Sequence, residues 1–246
     1  LVATTTTNAQ GEYNFGNLRP GMYTVQESQP AGYLQGGQQA GSKGGDDSQP
    51  DIIKAIPIGS GENLVDYNFC EILPATLAGR VYSDPNENCE FDEGDSPLAG
   101  VRIDLFNGSG NLVATTYTNA AGQYKFENLR PGEYSVVETQ PTGYFNGAAR
   151  PGTGGGNGSN DPDCGCGEPI GGGVGTADAG NKISQIQIPG GANLTEYNFC
   201  ELPPAQLSGY VYQDGAAIVA QNGIPPKDLR AVRDGERVTG AVIIAA

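Results

Sequence analysis

Hydrophobic and polar residues alternate with a period near two along most of the chain, as they do in β-strands that bury one face. In residues 101–106, for example, Val, Ile and Leu alternate with Arg, Asp and Phe. No segment shows the apolar stripe of an amphipathic helix. The pattern predicts seven strands in the central part of the chain, at 76–83, 99–107, 111–119, 122–129, 132–140, 182–188 and 194–202.

Tight turns separate these strands. Asn107-Gly108 is a dipeptide that tolerates positive φ at both central positions, so we expect it to close a hairpin. Arg130-Pro131-Gly132 combines a residue with fixed φ and one with free φ, which indicates another turn. Seven short strands spaced by turns are typical of a β-sandwich. We therefore predict an all-β protein made of tandem seven-stranded Greek-key β-sandwich repeats.

The chain repeats itself. Residues 1–33 recur at 112–144 with 23 of 33 positions identical, and YNFCE at 67–71 returns at 197–201. Repeats of this length mark arrays of similar units, in which each unit is one supersecondary structure. The repeat spacing therefore divides the chain more reliably than local composition does.

Three units follow from these spacings, because PATLAGRVY at 74–82 also returns, as PAQLSGYVY at 204–212. Residues 1–74 are the C-terminal part of one repeat, with strands three to seven. Residues 75–204 form a complete repeat, and 205–246 are the N-terminal part of a third, with about two strands. We expect the partial repeats to be completed either by sequence outside this chain or by the opposite end of another copy, head to tail.

The charge composition limits which classes of molecule the protein can bind. The net charge is −15, from 28 acidic and 13 basic residues, and there is no histidine. Such a field repels phosphate backbones and anionic lipids, so nucleic acid and membrane surfaces are poor partners, whereas divalent cations suit it. No apolar run is long enough to span a bilayer. Scattered cysteines in an acidic, glycine-rich repeat chain indicate a secreted or cell-surface protein.

The strongest chemical signal is a 12-residue acidic loop that follows the first strand of the complete repeat. Oxygen-bearing residues occupy positions 1, 3, 5, 7, 9 and 12, which is the spacing of an EF-hand calcium loop. Cys89 stands where that loop usually has glycine. The alternative is a solvated acidic turn. We predict that Ca²⁺ is bound by Asp84, Asn86, Asn88, Glu90, Asp92 and Asp95.

Catalysis is not expected. Without histidine, neither a Ser-His-Asp nor a Cys-His arrangement can be built. The glycine-rich stretches at 36–45 and 152–175 lack the GxxxxGK[ST] pattern of a phosphate-binding loop. We therefore assign no catalytic residues and no organic cofactor, and we expect the protein not to be an enzyme.

Several motifs together resemble one family. GxVYxDxNxN, PLAGV, YxFxNLxPGxYxVxExQPxGY and a closing YNFxE make the chain similar to the B-type (SdrD B-type) domains of serine–aspartate-repeat surface proteins. Those domains belong to the wider Cna-B, prealbumin-like group. The resemblance implies β-sandwiches strung into stalks that carry or space adhesive heads at the cell surface, many of them binding calcium.

Two functions remain open at this point. In the first, the repeats form a calcium-stabilised structural stalk or extracellular filament, whose partners are neighbouring repeats or other copies of the chain. In the second, the chain is an adhesin module that binds a host, matrix or glycan ligand through the long insertion at 145–180. We expect the structural role, with the adhesin module as the alternative.

The strand order predicts a disulfide. In a sandwich whose repeats run end to end, the first strand leaves and the last strand exits at the same pole, which brings Cys89 near Cys200. Cys70 and Cys89 are close in sequence and remain the alternative pair. We expect the bond between Cys89 and Cys200.

An internal Lys–Asn isopeptide bond, which many Cna-B relatives contain, is not expected. Glu138 and Glu27 match the carboxylate position and Asn198 could match the amide, but Arg80–Ser83, where the lysine would stand, contains none. An arginine guanidinium stays protonated and is not a nucleophile. The reduced protein should therefore have its full sequence mass in intact-mass measurement. A deficit of about 17 Da, the mass of one ammonia, would contradict this expectation.

Overall fold

The computed structural model describes residues 1–152, 176–178 and 181–208, with the backbone alone at 176–178. The chain divides into two compact units, Leu1–Pro203 and Pro204–Ala246. Residues 209–246, which are most of the third repeat predicted at 205–246, lie outside the described residues. Within the described ranges every regular element is a strand, so the predicted all-β class is confirmed, and no helix there could cross a membrane.

The first partial repeat contains five strands. β1 pairs with β4, β4 with β3, and β2 with β5, all antiparallel. Their bounds are β1 Gly21–Gln26, β2 Leu34–Gln39, β3 Asp46–Gln49, β4 Ile52–Ile58 and β5 Asn68–Ile72.

The complete repeat contains eleven strands in two sheets. One sheet has the order β10-β6-β16-β12, with β7 and β15 also paired to β6, and the other has the order β13-β14-β11-β8-β9. The bounds are β6 Ala75–Ser83, β7 Ser96–Pro97, β8 Arg102–Asn107, β9 Leu112–Tyr117, β10 Gln123–Leu129, β11 Gly132–Glu138, β12 Phe145–Arg150, β13 Thr176–Asp178, β14 Lys182–Ile188, β15 Asn193–Leu194 and β16 Asn198–Leu202.

The core lies between these two sheets. Each sheet contributes the inward-facing positions of its alternating pattern, as the sequence predicts. The side chains that are fully buried there are Ala75, Leu77, Val81, Leu194, Tyr197 and Phe199 from one sheet and Ile103, Leu105, Val136, Ile183, Ile186 and Ile188 from the other.

Each of the seven predicted ranges contains a strand, whereas β7, β12 and β13 lie outside those ranges, and the longest of these three is β12. Its sequence, FNGAAR, is glycine-containing and does not alternate, and only Ala149 is buried. β12 forms because the edge of β16 offers unpaired backbone groups, which an extended segment can satisfy regardless of its side chains.

The first and last strands of the repeat pair in parallel, Val81 with Phe199 and Tyr82 with Cys200. The close approach of these strands explains why the GxVY motif begins with glycine, which is Gly79. A Cβ atom there would lie 1.8 Å from the Tyr197 carbonyl oxygen, so only glycine allows this close approach.

The hairpin between β8 and β9 forms and Asn107 and Gly108 lie in its turn as predicted, but their expected positive φ is wrong. Positive φ occurs at Gly110 and not at Asn107 or Gly108. The Asn107 side-chain oxygen instead accepts hydrogen bonds from the backbone N–H groups of Ser109 (3.1 Å) and Asn111 (3.0 Å). Asparagine here stabilises a longer loop through an Asx turn rather than by adopting a left-handed conformation itself.

Residues 1–20 contain no strand although they nearly repeat the sequence of β9 and β10. In the complete repeat, β9 pairs with β8 and β10 with β6, whereas residues 1–20 pair with no strand in the described part of the chain. Residues 1–20 nevertheless keep one contact with the first repeat. The Tyr13 hydroxyl donates to the Tyr67 carbonyl (2.5 Å), as the Tyr124 hydroxyl does to the Tyr197 carbonyl (2.6 Å) in the complete repeat. Partner strands, not local sequence, decide whether these residues form strands.

A disulfide bond joins Cys89 to Cys200, with their Cα atoms 5.5 Å apart. It connects the acidic loop after β6 to the last strand of the same repeat. Since one cysteine forms one disulfide, this arrangement excludes the Cys70–Cys89 pair within the structure.

Replacing Cys89 and Cys200 together by serine should lower the free energy of unfolding of the complete repeat by about 4–5 kcal/mol, because the bond closes a loop across 111 residues of separation. Chemical denaturation of the oxidised variant and parent proteins measures the loss. Non-reducing peptide mapping should link Cys89 to Cys200. A peptide that links Cys89 to Cys70 would refute the pairing.

Candidate metal centre

The predicted calcium loop lies between β6 and β7 and starts inside the fold. Asp84 is 1% exposed, and its backbone N–H donates to the Glu201 carbonyl at 2.8 Å. One Asp84 carboxylate oxygen accepts the backbone N–H of Cys89 at 2.6 Å. The other oxygen is buried and has no hydrogen-bond partner in the structure. The first predicted ligand is thus anchored at one oxygen and unsatisfied at the other.

Within the loop, asparagine side chains organise the backbone. The Asn86 side-chain oxygen accepts the N–H of Asn88 (3.1 Å), and the Asn88 oxygen accepts that of Glu90 (2.7 Å). The amide nitrogen atoms of both asparagines face the Asp92 carboxylate, with the Asn88 contact at 2.8 Å. Asp92 therefore receives its neutralising contacts from N–H dipoles in this arrangement.

The cysteine at loop position 6 adopts the conformation that glycine usually supplies there. Cys89 has φ +52°, in the left-handed region. Glu87, with φ +62°, and Gly94, with φ +110°, provide two further reversals. The loop therefore turns as tightly as a glycine-containing loop would, and the Cys89 side chain is directed to the disulfide.

Phe91 attaches the loop to the sheet. Its ring packs edge-on against Tyr82 with centroids 5.2 Å apart, and the Arg80 guanidinium lies 3.9 Å from the ring centroid. On the other side, the Arg150 guanidinium donates to the Cys89 carbonyl at 3.1 Å and contacts Glu90 at 3.3 Å. The loop is therefore held by side chains of two strands, β6 and β12.

Two predicted ligands present unsatisfied oxygens. Asp95 accepts the Asp92 N–H through one oxygen at 3.0 Å, while its other oxygen is buried without a partner, like that of Asp84. Burial, followed by the charges of Asp84 and Asp95, raises the pKa of the Tyr82 hydroxyl well above its usual value. Both carboxylates therefore lie near enough to act on the same buried tyrosine.

The loop does not gather its three aspartates as closely as a formed metal site would. Across the residues that the structure describes, one trio of acidic side chains has ligand oxygens all within 4.8 Å of one another, and it is Glu27, Asp51 and Glu71. Sequence reasoning singled out Glu27 only as a match to an isopeptide carboxylate. The trio was missed because its members come from three separate strands or turns, and no local spacing signals their meeting.

Comparison with known proteins agrees with the motifs. The SdrD B-like domain family matches residues 1–65 and 75–170. Serine-aspartate repeat-containing protein F of Staphylococcus epidermidis is 28% identical over 214 residues, covering 87% of this chain and 12% of that protein. Serine-aspartate repeat-containing protein C of Staphylococcus aureus is 32% identical over 139 residues, covering 56% of this chain and 15% of that protein.

Solved structures with weak similarity include two pilins. The minor pilin GBS52 of Streptococcus agalactiae is 15% identical, with a TM-score of 0.33, covering 82% of this chain and 69% of that one. The shaft pilin SpaA of Lactobacillus rhamnosus GG is 11% identical, with a TM-score of 0.33, covering 82% and 70%.

The chain spans about one eighth of the length of the first of these relatives. The family match nevertheless covers more than half of the chain and includes both the first partial repeat and most of the complete one. The protein is extracellular or located at the cell surface, as its relatives are. The chain belongs to the SdrD B-like domain family.

Proposed function

We propose that this segment is a non-enzymatic spacer in a surface stalk or extracellular filament, in which each repeat is held rigidly to the next. The observation that supports this most directly is the junction between the first two repeats. β5 ends at Ile72 and β6 begins at Ala75, so two residues connect them. A linker this short leaves little conformational freedom between neighbouring domains.

The junction is also packed. The backbone N–H of Gly191, in the turn before β15, donates to the Leu73 carbonyl at 2.9 Å. Ala75 is fully buried at the start of β6. A chain of sandwiches joined in this way transmits force along its length without a flexible hinge at each step. Its natural partners are neighbouring repeats or other copies of the same protein, with no role for nucleic acid or membrane insertion.

Calcium would stiffen the same edge of the sandwich. In this proposal, Asp84, Asn86, Asn88, Glu90, Asp92 and Asp95 hold one Ca²⁺ ion in the complete repeat. The unsatisfied, buried oxygens of Asp84 and Asp95 support it, because a hard cation is the partner that carboxylate oxygens prefer. Rotation of the Asn86 and Asn88 amides would direct their oxygens, in place of their nitrogens, at a Ca²⁺ ion held by Asp92.

The adhesin alternative depends on the insertion at 145–180. Of that insertion the structure describes β12, Pro151, Gly152 and the backbone of β13, and residues 153–175 lie outside the described part of the chain. Nothing in the described part favours a ligand over the structural role.

Electron microscopy of the full-length native protein should show an extended row of domains. A second measurement uses this chain with four glycines inserted between Leu73 and Pro74, which should broaden the distance distribution from small-angle scattering relative to the parent. The reason is that the insertion removes the constraint of the two-residue linker. A compact native particle, or identical scattering before and after insertion, would contradict the spacer proposal.

Replacing Asn88 and Asp92 together by alanine should remove one equivalent of bound calcium in isothermal titration calorimetry. Both side chains are exposed, so the fold should persist without them. The parent should also gain stability with calcium, by about 2.7 kcal/mol at a concentration 100 times the Kd. Glu93→Ala is the matched control, since it removes a charge from the same loop at a position outside the ligand pattern. If the double variant binds as many ions as the parent does, the loop site is wrong.

A further inference from the structure

A second group of acidic side chains lies inside the complete repeat, away from the predicted loop ligands. Glu138 ends β11 and Glu201 lies on β16, so the two residues come from opposite sheets. Glu138 is 3% exposed and Glu201 is fully buried, and the two carboxyl groups lie close enough for the charge of Glu201 to act on Glu138. Two carboxylates offer each other only acceptors, so this contact is unfavourable unless something lies between them.

Four oxygens at this place have no partner in the structure. They are both carboxylate oxygens of Glu138, one of Glu201 and the side-chain oxygen of Asn181. The remaining contacts run through Gln140, whose Nε2 donates to Glu201 and whose Oε1 accepts from Asn181 at 3.3 Å. A buried acceptor without a donor costs about 1–3 kcal/mol, and more when it is charged. Four such acceptors in one place would be strongly destabilising unless a ligand satisfied them.

The ion pairs observed among the described residues do not involve this group of oxygens. The charged neighbour that acts on the Glu138 carboxyl group is Glu201 on β16. Tyr124 on β10 also faces Glu138, and its hydroxyl already donates to the Tyr197 carbonyl.

The same arrangement occurs in the first repeat, where it is Glu27, Asp51 and Glu71 whose ligand oxygens lie within 4.8 Å of one another. The backbone frame is equivalent: the Glu27 N–H donates to the Asp51 carbonyl at 2.8 Å, as Glu138 does to Asn181. Gln29 donates to Glu71, as Gln140 does to Glu201.

One difference between the two copies is informative. Asp51 in the first repeat corresponds to Asn181 in the complete repeat, so the charge changes while an inward-facing oxygen is kept. In both copies that oxygen has no hydrogen-bond partner in the structure. An oxygen ligand set, rather than a fixed charge, is what the two clusters share.

We propose that each of these clusters binds one divalent hard cation of the Ca²⁺ class, with Glu138, Asn181 and Glu201 as ligands in the complete repeat and Glu27, Asp51 and Glu71 in the first. Calcium binds oxygens at about 2.3–2.6 Å, so ligands on opposite sides of the ion are about 5 Å apart. The 4.8 Å grouping in the first repeat fits this span. Gln29 and Gln140 are positioning residues that orient one glutamate in each cluster.

A shared proton is the competing explanation, and it accounts for fewer of the observations. Burial, followed by the charge of Glu201, raises the pKa of Glu138 to about 9, so a proton could bridge the two glutamates at pH 7. That proton would leave the Asn181 oxygen, and the Asp51 oxygen in the first repeat, without a partner. A cation satisfies all of these oxygens at once.

The two explanations separate in a variant that adds charge. Asn181→Asp gives the complete repeat the same three acids as the first repeat. If a cation binds there, the variant should bind Ca²⁺ about tenfold more tightly, because ligand charge tunes affinity in such sites. If a proton is shared, the third buried acid should instead lower the melting temperature, and added calcium should not restore it.

Ion counting completes the test on the full chain with the loop disabled by Asn88→Ala and Asp92→Ala. Equilibrium dialysis against Ca²⁺ with elemental analysis should find ions that remain bound. Glu138→Gln together with Glu201→Gln should remove one of them, whereas Glu133→Gln, an exposed glutamate on the same strand β11, should remove none.

Circular dichroism in EDTA checks that each variant is folded before ions are counted. No calcium bound to the loop-disabled chain, together with no tightening by Asn181→Asp, would overturn the cluster proposal and leave the shared proton. The loop proposal is independent of this result, since it fails only if the loop variant retains every ion that the parent binds.

Discussion

The parallel pairing of β6 with β16 is the contact on which the rest of the repeat depends. It joins the first strand of the repeat to the last, and so closes the sheet that covers one side of the core. The pairing places Tyr82 beside Cys200 and Ser83 beside Glu201, so the loop that leaves β6 starts next to the last strand. The disulfide follows from this geometry, since Cys89 needs only a tight turn to reach Cys200.

In the first repeat the strand that corresponds to β16 has a different set of neighbours. This strand, β5, pairs with β2 but has no counterpart of β6 beside it in the described part of the chain. Phe69 is half-buried where the equivalent Phe199 is fully buried, and Glu71 is half-buried where Glu201 is fully buried. The same sequence therefore gives a weaker core and a more open acidic cluster. Burial of these residues is a property of the assembled repeat and not of the strand that carries them.

This contrast also explains how far the sequence could predict the structure. Period-two alternation located all seven main strands of the complete repeat, most of which bury alternate side chains in the core, although β9 contains no buried residue. It failed for β12, which is held by backbone hydrogen bonds to β16, and for residues 1–20, whose sequence is that of strands but which pair with no strand among the described residues. Alternation reports which side chains can be buried. It carries no information about which edge is available for pairing.

The candidate sites divide along the same line. The loop ligands could be found from sequence because six oxygen-bearing residues follow one another within twelve positions, and the structure adds that Cys89 takes the left-handed conformation expected of glycine. Glu138, Asn181 and Glu201 come from β11, the start of β14 and β16, so only the fold brings them together.

Both sites nevertheless depend on the β6–β16 pair, through the Asp84 N–H that donates to the Glu201 carbonyl at 2.8 Å. Carboxylates in a chain of charge −15 repel one another wherever they are concentrated. They are concentrated here, beside the disulfide and at the edge where the first strand meets the last. A fold that covalently fixes its most acidic edge tolerates that repulsion in a way that an uncrosslinked edge would not, and cations bound there would turn the repulsion into a further link between the two strands.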